Sequence, residues 1–282
     1  MTSVVIAARN EAAVLGRCLD ALLTAPDPPD GAALDITVVA NGCTDATAAV
    51  ARARPGVRVI ELAEGSKPAA LNAGDAAAVG WPRVYLDADM VLSAADIHRL
   101  AAAVADGPAL AAVPRRRLAL AGRPWPVRAY YAVHTRLPVF ATALFGRGAI
   151  ALSEAGRARF DRFPDVVADD LFLDARFRRG EKCEVPEVTA WVAAPWRTRD
   201  LVRRLSRVRA GNAALRATTP GVPPPRRTSW LRDVVAPRPW LAPAAACYVA
   251  LTLAAEILAR RDTPAGEGGT AWGRDESSRA VR

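Results

Sequence analysis

Within the first 90 residues, four short apolar runs rich in β-branched residues alternate with stretches of helical spacing. The runs are SVVIAA (3–8), LDITVVA (34–40), VRVIEL (57–62) and RVYLDADM (83–90). Between the first two, EAAVLGRCLDALLTA (11–25) sets Val14, Leu15, Cys18, Leu19, Leu22 and Leu23 on one helical face. CTDATAAVARAR (43–54) reads as a second helix, capped by Thr44 or Asp45. KPAALNAGDAAA (67–78) reads as a third, with Pro68 tolerated in its first turn. Strands apolar throughout and joined by helices predict a parallel sheet covered on both faces. Ligands of such sheets bind beyond the carboxyl ends of the strands. Residues 7–10, 40–42, 64–67 and 87–89 all fall at that edge.

The rest of the chain is less regular. AADIHRLAAAVAD (94–106) predicts a helix and LAAVPRRRLAL (110–120) a strand, but 122–165 has no clear period. ADDLFLDARFRRG (168–180) predicts a helix whose acids suit its dipole, EVTAWVAA (187–194) a strand, and 198–217 a basic helix. These elements divide the 282 residues into a domain over 1–218, with halves at about 1–92 and about 93–218. A Pro/Arg-rich linker follows at 219–239, an apolar helix at 240–260, and a polar tail at 261–282 whose composition reads as disordered.

Charge is concentrated. The net charge is +9, and residues 197–239 hold eleven arginines against Asp200 and Asp233. Such a patch calls for an anionic partner: diphosphate, acidic lipid or nucleic acid. No nucleic-acid-binding motif is legible, so nucleic acid is set aside. The apolar stretch at 240–260 is near the roughly 20 residues of a bilayer span. It is alanine-rich, contains Pro243 and Glu256, and is flanked by arginines. A span, a helix in the membrane interface and an ordinary packed helix all remain open for it. The four cysteines lack metal or disulfide spacing and fit a reducing compartment. No signal peptide is read at the N-terminus. The expected location is the cytoplasm, with the inner face of the cell membrane as the surface a basic flank would meet.

The pair Asp87 and Asp89 closes the fourth run. Mg²⁺ and Mn²⁺ take oxygen ligands, commonly one or two carboxylates plus substrate phosphates. In a strand, i and i+2 share a side, so both carboxylates can converge on one cation. A solvated strand end is the bland alternative. His98 sits on a predicted surface helix. His134 lies in the unread region as a candidate additional metal ligand, and Trp125, Tyr130 and Tyr131 there suit either a core or a sugar-stacking surface.

These motifs, taken in order, resemble the family 2 glycosyltransferases of the GT-A, nucleotide-sugar-binding fold. The resemblance covers roughly residues 3–215 and rests on IAARNEA, VVANGCTDAT, GSKPAALNAG, YLDADM, FGRGAIALS, VADDLFLDARF and RRLSRVRAG. It implies an α/β fold with a mostly parallel sheet and helices on both faces, a catalytic domain over 1–218 whose nucleotide half is about 1–92 and whose acceptor half is about 93–218. It also implies a metal-dependent, inverting transfer of sugar from a nucleoside diphosphate to an acceptor hydroxyl. Ala8, Asn10, Glu11 and Asn41 would then line the nucleotide. Lys67 would approach its phosphates, with Asn72 shaping that loop. Asp87 would contact ribose or metal-bound water, and Asp89 would ligate Mg²⁺ or Mn²⁺. Asp170 would be the general base, with Asp169 its competitor. Arg204 and Arg207 would face the diphosphate.

Several positions depart from the family pattern. Ala40 stands where many members carry a base-contacting carboxylate. That loss opens the identity of the nucleotide: a UDP-sugar is the family's default donor, with GDP and dTDP open. Arg204 and Val208 replace the Gln and Trp that mark processive synthases, which implies one transfer per encounter. The acceptor could be lipid-linked, a glycan or a small molecule. Two other readings compete: a non-catalytic nucleotide-sugar-binding protein of the same fold, and a nucleotidyltransferase. Against the latter, ARNEA follows the first strand where a glycine-rich basic loop is expected.

Overall fold

The apolar runs pair into a single seven-stranded sheet. A computed structural model of the protein describes residues 1–24, 33–105, 107–165, 168–222, 224 and 230–261. Of the tail expected at 261–282, Arg261 ends the last helix and the rest lies outside the described residues. Strands β1 (Thr2–Ala8), β2 (Leu34–Asn41), β3 (Val57–Leu62), β4 (Arg83–Leu86), β5 (Ala111–Ala119), β6 (Ala149–Leu152) and β7 (Lys182–Ala193) are ordered β3-β2-β1-β4-β6-β5-β7. β1 pairs in parallel with β2 and β4, β2 with β3, and β5 with β7, while β6 runs antiparallel between β4 and β5. The mostly parallel α/β sheet expected from the sequence is therefore present.

Alternation along β1 shows how the sheet builds two cores. Val4, Ile6 and Ala8 face one layer, packed against α1 (Ala12–Leu23), α2 (Thr47–Arg52) and α4 (Ala94–Ala105). Val5 and Ala7 face the other, with α3 (Lys67–Ala77) and α7 (Asp169–Arg176). Parallel strands buried on both sides need such continuous apolar runs. A third cluster joins α5 (Trp125–His134), α8 (Thr198–Thr218) and α9 (Ala242–Arg261) through Val127, Tyr130, Tyr131, Leu201 and Tyr248. Tyr130 and Tyr131 are thus core residues, whereas Trp125 is exposed.

Several boundaries shift from the sequence reading. β4 stops at Leu86, and Asp87–Met90 is a turn in which the Met90 N–H donates to Asp87 O. The alternation argument for Asp87 and Asp89 therefore does not apply, because they lie past the strand. α2 starts at Thr47, with Ala46 at its N-cap. Asp45, one residue earlier, still accepts the Thr47 N–H at 3.0 Å and also the Ala12 N–H at the start of α1, whereas Thr44 exchanges two hydrogen bonds with Asn10. β7 begins five residues earlier than expected, and its register with β5 shifts between Pro114 and Arg115. Pro186, which has no N–H to donate, falls in that irregularity. The unread segment resolves into α5, a 3₁₀ turn at Pro138–Ala141, β6 and the short α6 (Glu154–Arg157). Within the stretch read as a linker, Trp230–Val235 forms a π-helical turn that buries Val234 and Val235.

Candidate active site

The carboxyl ends of β1, β2 and β4 and the start of α3 meet at one edge. Ala8 ends β1 and is buried. Asn10 takes φ +52° and binds Thr44 through its side-chain amide. Glu11 is buried, with its N–H donating to Thr47 Oγ1 at 2.8 Å. Asn41 is fully buried and its amide donates to Ala8 O and Val39 O, so its side chain turns into the protein and clamps β1 to β2. Gly42 has φ +54°, and a Cβ there would lie 2.5 Å from Gly65 N. Only glycine permits both the left-handed turn and this approach of two loops. Asn72 shapes its surroundings through a two-way pairing with the Phe163 backbone at 2.8 and 3.0 Å.

Lys67 is the electrostatic hub. Ser66 caps α3 through its hydroxyl, Pro68 occupies the first turn, and this start fixes where the Lys67 side chain leaves. Its ammonium lies 3.1 Å from Asp87 Oδ1 and 3.0 Å from Asp169 Oδ2. Burial disfavours its charge, but Asp169, Asp87 and Asp170 outweigh that and hold its pKa well above the ordinary value. One cation thus joins the turn after β4 to the start of α7.

Asp170 sits differently from Asp169. Its Oδ2 accepts the Gly146 N–H at 3.0 Å, and Oδ1 accepts the Leu171 N–H at 2.8 Å. Gly146 itself needs φ +70°, which explains a glycine in the FGRGAI stretch. Burial first, then the neighbouring Asp169 charge, pushes the Asp170 carboxyl up to about 6, while Lys67 and the Gly146 amide oppose the rise. Asp169 pairs with Lys67, whereas Asp170 carries the raised pKa.

Asp89 is exposed at the tip of the turn and Asp87 is half-buried beside it. Among the described residues no group of three or more His, Cys, Asp or Glu gathers as a metal site. Two hard oxygen donors that leave the remaining positions to phosphates and water match how Mg²⁺ and Mn²⁺ bind. His134 is no part of it: it lies among Tyr130, Tyr131 and Phe140.

The basic helix α8 contributes Arg204, whose Nη1 donates to Ala193 O at 3.2 Å, and half-buried Arg207. Sequence reasoning missed two features. One is the buried carboxylate of Asp75, which accepts from Arg83, Tyr85 and Arg157 and ties α3 to β4 and α6. The other is Arg116 on β5, within the visible Arg-Arg-Arg run, which lies close to Gly146.

A seven-stranded, mostly parallel sheet with an acidic, lysine-bridged cluster at its carboxyl edge is the architecture of a GT-A glycosyltransferase. The model of the glycosyl transferase family 2 matches residues 3–149, more than half of the chain. The chain belongs to that family and is a glycosyltransferase. Solved structures agree on the fold. A mannosyltransferase from Pyrobaculum calidifontis, in complex with GDP-Man and Mn²⁺, is 24% identical at TM-score 0.60, over 92% of this chain and 79% of its own. Glucosyl-3-phosphoglycerate synthase from Mycobacterium tuberculosis, in complex with Mn²⁺, UDP and its product, is 19% identical at TM-score 0.54, over 76% and 79%. S. aureus TarS 1–349 with UDP is 13% identical at TM-score 0.52, over 94% and 93%. No curated protein matches the chain.

Proposed function

We propose that the protein is a metal-assisted, inverting, non-processive glycosyltransferase acting on a nucleoside-diphosphate sugar. The observation that carries this reading is Asp170. It is a carboxyl pushed up to about 6, anchored on the Gly146 amide and joined electrostatically through Lys67 to Asp87. The complexes of two solved relatives, with GDP-Man and Mn²⁺, with UDP-Glc and Mn²⁺, and with UDP and Mg²⁺, support Mn²⁺ or Mg²⁺ and a UDP- or GDP-sugar.

In this reading Ala8, Asn10 and Glu11 shape the nucleotide pocket, with Asn41 bracing its floor. Asp89, with Asp87, holds the cation. The cation supplies charge stabilisation to the leaving diphosphate. Lys67 and Arg207 add positive charge to the same end, whereas Arg204 acts on Arg116 and His134. Asp170 takes the proton from the acceptor hydroxyl as its oxygen bonds to the anomeric carbon. The anomeric C–O bond to the diphosphate breaks, and its electron pair leaves with the diphosphate. One displacement on the opposite face inverts the anomeric centre.

The test incubates the protein and Mn²⁺ with UDP-glucose, GDP-mannose or a dTDP-sugar, plus acceptors. Diphosphate release is followed and the product's anomeric coupling is read by NMR. One nucleotide should dominate and the product should be inverted. A retained configuration overturns the Asp170 mechanism, and pyrophosphate release from a nucleoside triphosphate favours a nucleotidyltransferase.

A lipid-surface contact through α9 is part of the proposal. Pro239–Arg261 is long and apolar enough to cross a membrane by length and composition. It packs on α5 and α8 through small residues such as Ala245, Ala255 and Ala259. It leaves Leu253 and Ile257 exposed, as are Trp240 just before it and Leu231, and Arg260 and Arg261 close its last turn. That pattern suits a helix lying at an anionic surface. The protein is expected to float with phosphatidylglycerol vesicles and not with phosphatidylcholine. Replacing Trp240, Leu253 and Ile257 by Gln should abolish flotation; unchanged flotation overturns the contact.

A further inference from the structure

Arg116 has no charge partner although it stands beside the proposed base. Its neighbours on the arginine run and loop are spoken for: Arg115 and Arg147 both pair with Glu184. Arg147 further donates to Ala143 O, Pro114 O and Phe140 O. Among the described residues, Arg116 makes no hydrogen bond or ion pair. Its guanidinium carbon lies 4.4 Å over the Phe140 ring, and a Cβ on Gly146 would fall 3.3 Å from its Nη1. Gly146 is the residue whose N–H holds Asp170.

More positive charge gathers there. Burial and the charges of Arg147 and Arg204 disfavour the charged form of Arg116. His134 stacks on Tyr130 and lies 4.6 Å from Phe140, and its Nδ1 is sealed from solvent without a partner. Burial, then Arg116, Arg204 and Arg209, pushes its imidazole down to about 3, so it is neutral at pH 7. Arg204 spends one N–H on Ala193 O and, among the described residues, has no carboxylate partner. Desolvated like charges with no counter-charge are unfavourable until an anion joins them.

The donor's diphosphate does not fill this need. It belongs with Asp87, Asp89 and Lys67 past β4, and β6 separates β4 from β5. Two strand spacings, about 10 Å, separate the backbones of β4 and β5. Asp170 and Arg116 both approach Gly146.

We propose that the acceptor carries an oxyanion, a phosphate or carboxylate, near its nucleophilic hydroxyl, and that Arg116 with Arg204 binds it. The inference rests on Asp170 as the acceptor-side base. The guanidinium fork matches such oxyanions by paired hydrogen bonds.

The test first saturates the protein with its nucleoside diphosphate and Mn²⁺, so that the donor site is filled. Calorimetry then titrates glycerol 3-phosphate, 3-phosphoglycerate or glycerol, and a parallel arm uses phosphatidic acid against phosphatidylcholine vesicles. Phosphate-bearing probes should bind and glycerol should not. Arg116→Gln should weaken that binding about tenfold or more, with Arg116→Lys intermediate and diphosphate binding retained. Soluble probes succeeding points to a soluble acceptor; success with phosphatidic acid alone, lost in Arg116→Gln, points to a lipid phosphate. Should Arg116→Gln lose diphosphate binding through misfolding, Arg204→Gln serves as the second variant. Equal binding of glycerol and its phosphate, or no effect of either variant, overturns the inference. Failure of the wild type to bind any diphosphate instead sinks the donor-site reading beneath it.

Discussion

Asp170→Asn is expected to lower kcat for sugar transfer about 10²- to 10⁴-fold, the range for loss of a positioned general base. Nucleoside-diphosphate binding should stay near wild type, because Asn keeps the shape and can still accept the Gly146 N–H. The same substitution has a stability signature. Because burial and Asp169 push the Asp170 carboxyl up to about 6, the folded protein holds this proton more tightly than the unfolded chain does. The stability so gained is fully present below the ordinary carboxylate pKa and is lost as pH rises through about 6. In EDTA, Asp170→Asn should therefore melt higher relative to wild type at pH 8 than at pH 4.5. With a divalent cation beside Asp89, ionisation of Asp170 becomes easier, so the acid limb of kcat/KM should fall at or below about 6. Retained kcat in Asp170→Asn, with loss in Asp169→Asn, would move the base to Asp169.

Asp75→Ala should be the most destabilising of the single changes considered. Asp75 is 7% exposed and accepts from Arg83 Nη1 at 2.5 Å, Tyr85 Oη at 2.7 Å and Arg157 Nε at 2.7 Å. Burial alone would raise its pKa, but Tyr85, Arg157 and Arg83 outweigh that and hold it below the usual value. Removing it strands Arg83, itself buried, without its counter-charge. Breaking a buried pair from one side costs about 3–5 kcal/mol, a loss on the order of 10 °C in Tm for a chain of this size. A depressed carboxylate stabilises above its unfolded pKa and is lost as pH falls through the folded one. The gap between wild type and Asp75→Ala should therefore narrow in acid. A drop of only about 1–2 °C at pH 7.5 would show that the two arginines find other partners.

The nucleotide half was largely legible because its strands are apolar on both faces and its helices carry full turns of periodic core residues. Val4, Ile6 and Ala8 against Val5 and Ala7 need no alternation with polar residues, so the parallel sheet announces itself. The acceptor half hid for physical reasons. β6 is only the four residues Ala149–Leu152, its turn depends on left-handed Gly146 and Gly148, and α5 opens on Trp-Pro and buries tyrosines. Pairing of β5 with β7 tolerates Pro114 and Pro186 only through a register shift that no local pattern announces. Among candidate site residues, Lys67, Asp87, Asp169 and Asp170 were legible by type and place. Their link through one ammonium was not, because it spans about a hundred residues of sequence. Asn41 shows the converse: a polar residue at the ligand edge whose side chain braces the strands.

The account stands on a cation held at Asp89 and Asp87 beside a nucleoside diphosphate. The direct measurement is calorimetric titration of UDP, GDP and dTDP into wild type and Asp89→Ala, with Mn²⁺ or with EDTA. The account predicts that one diphosphate binds wild type in Mn²⁺ and that EDTA or Asp89→Ala weakens it about tenfold or more. Equal binding in EDTA, or in Asp89→Ala with Mn²⁺, would contradict it.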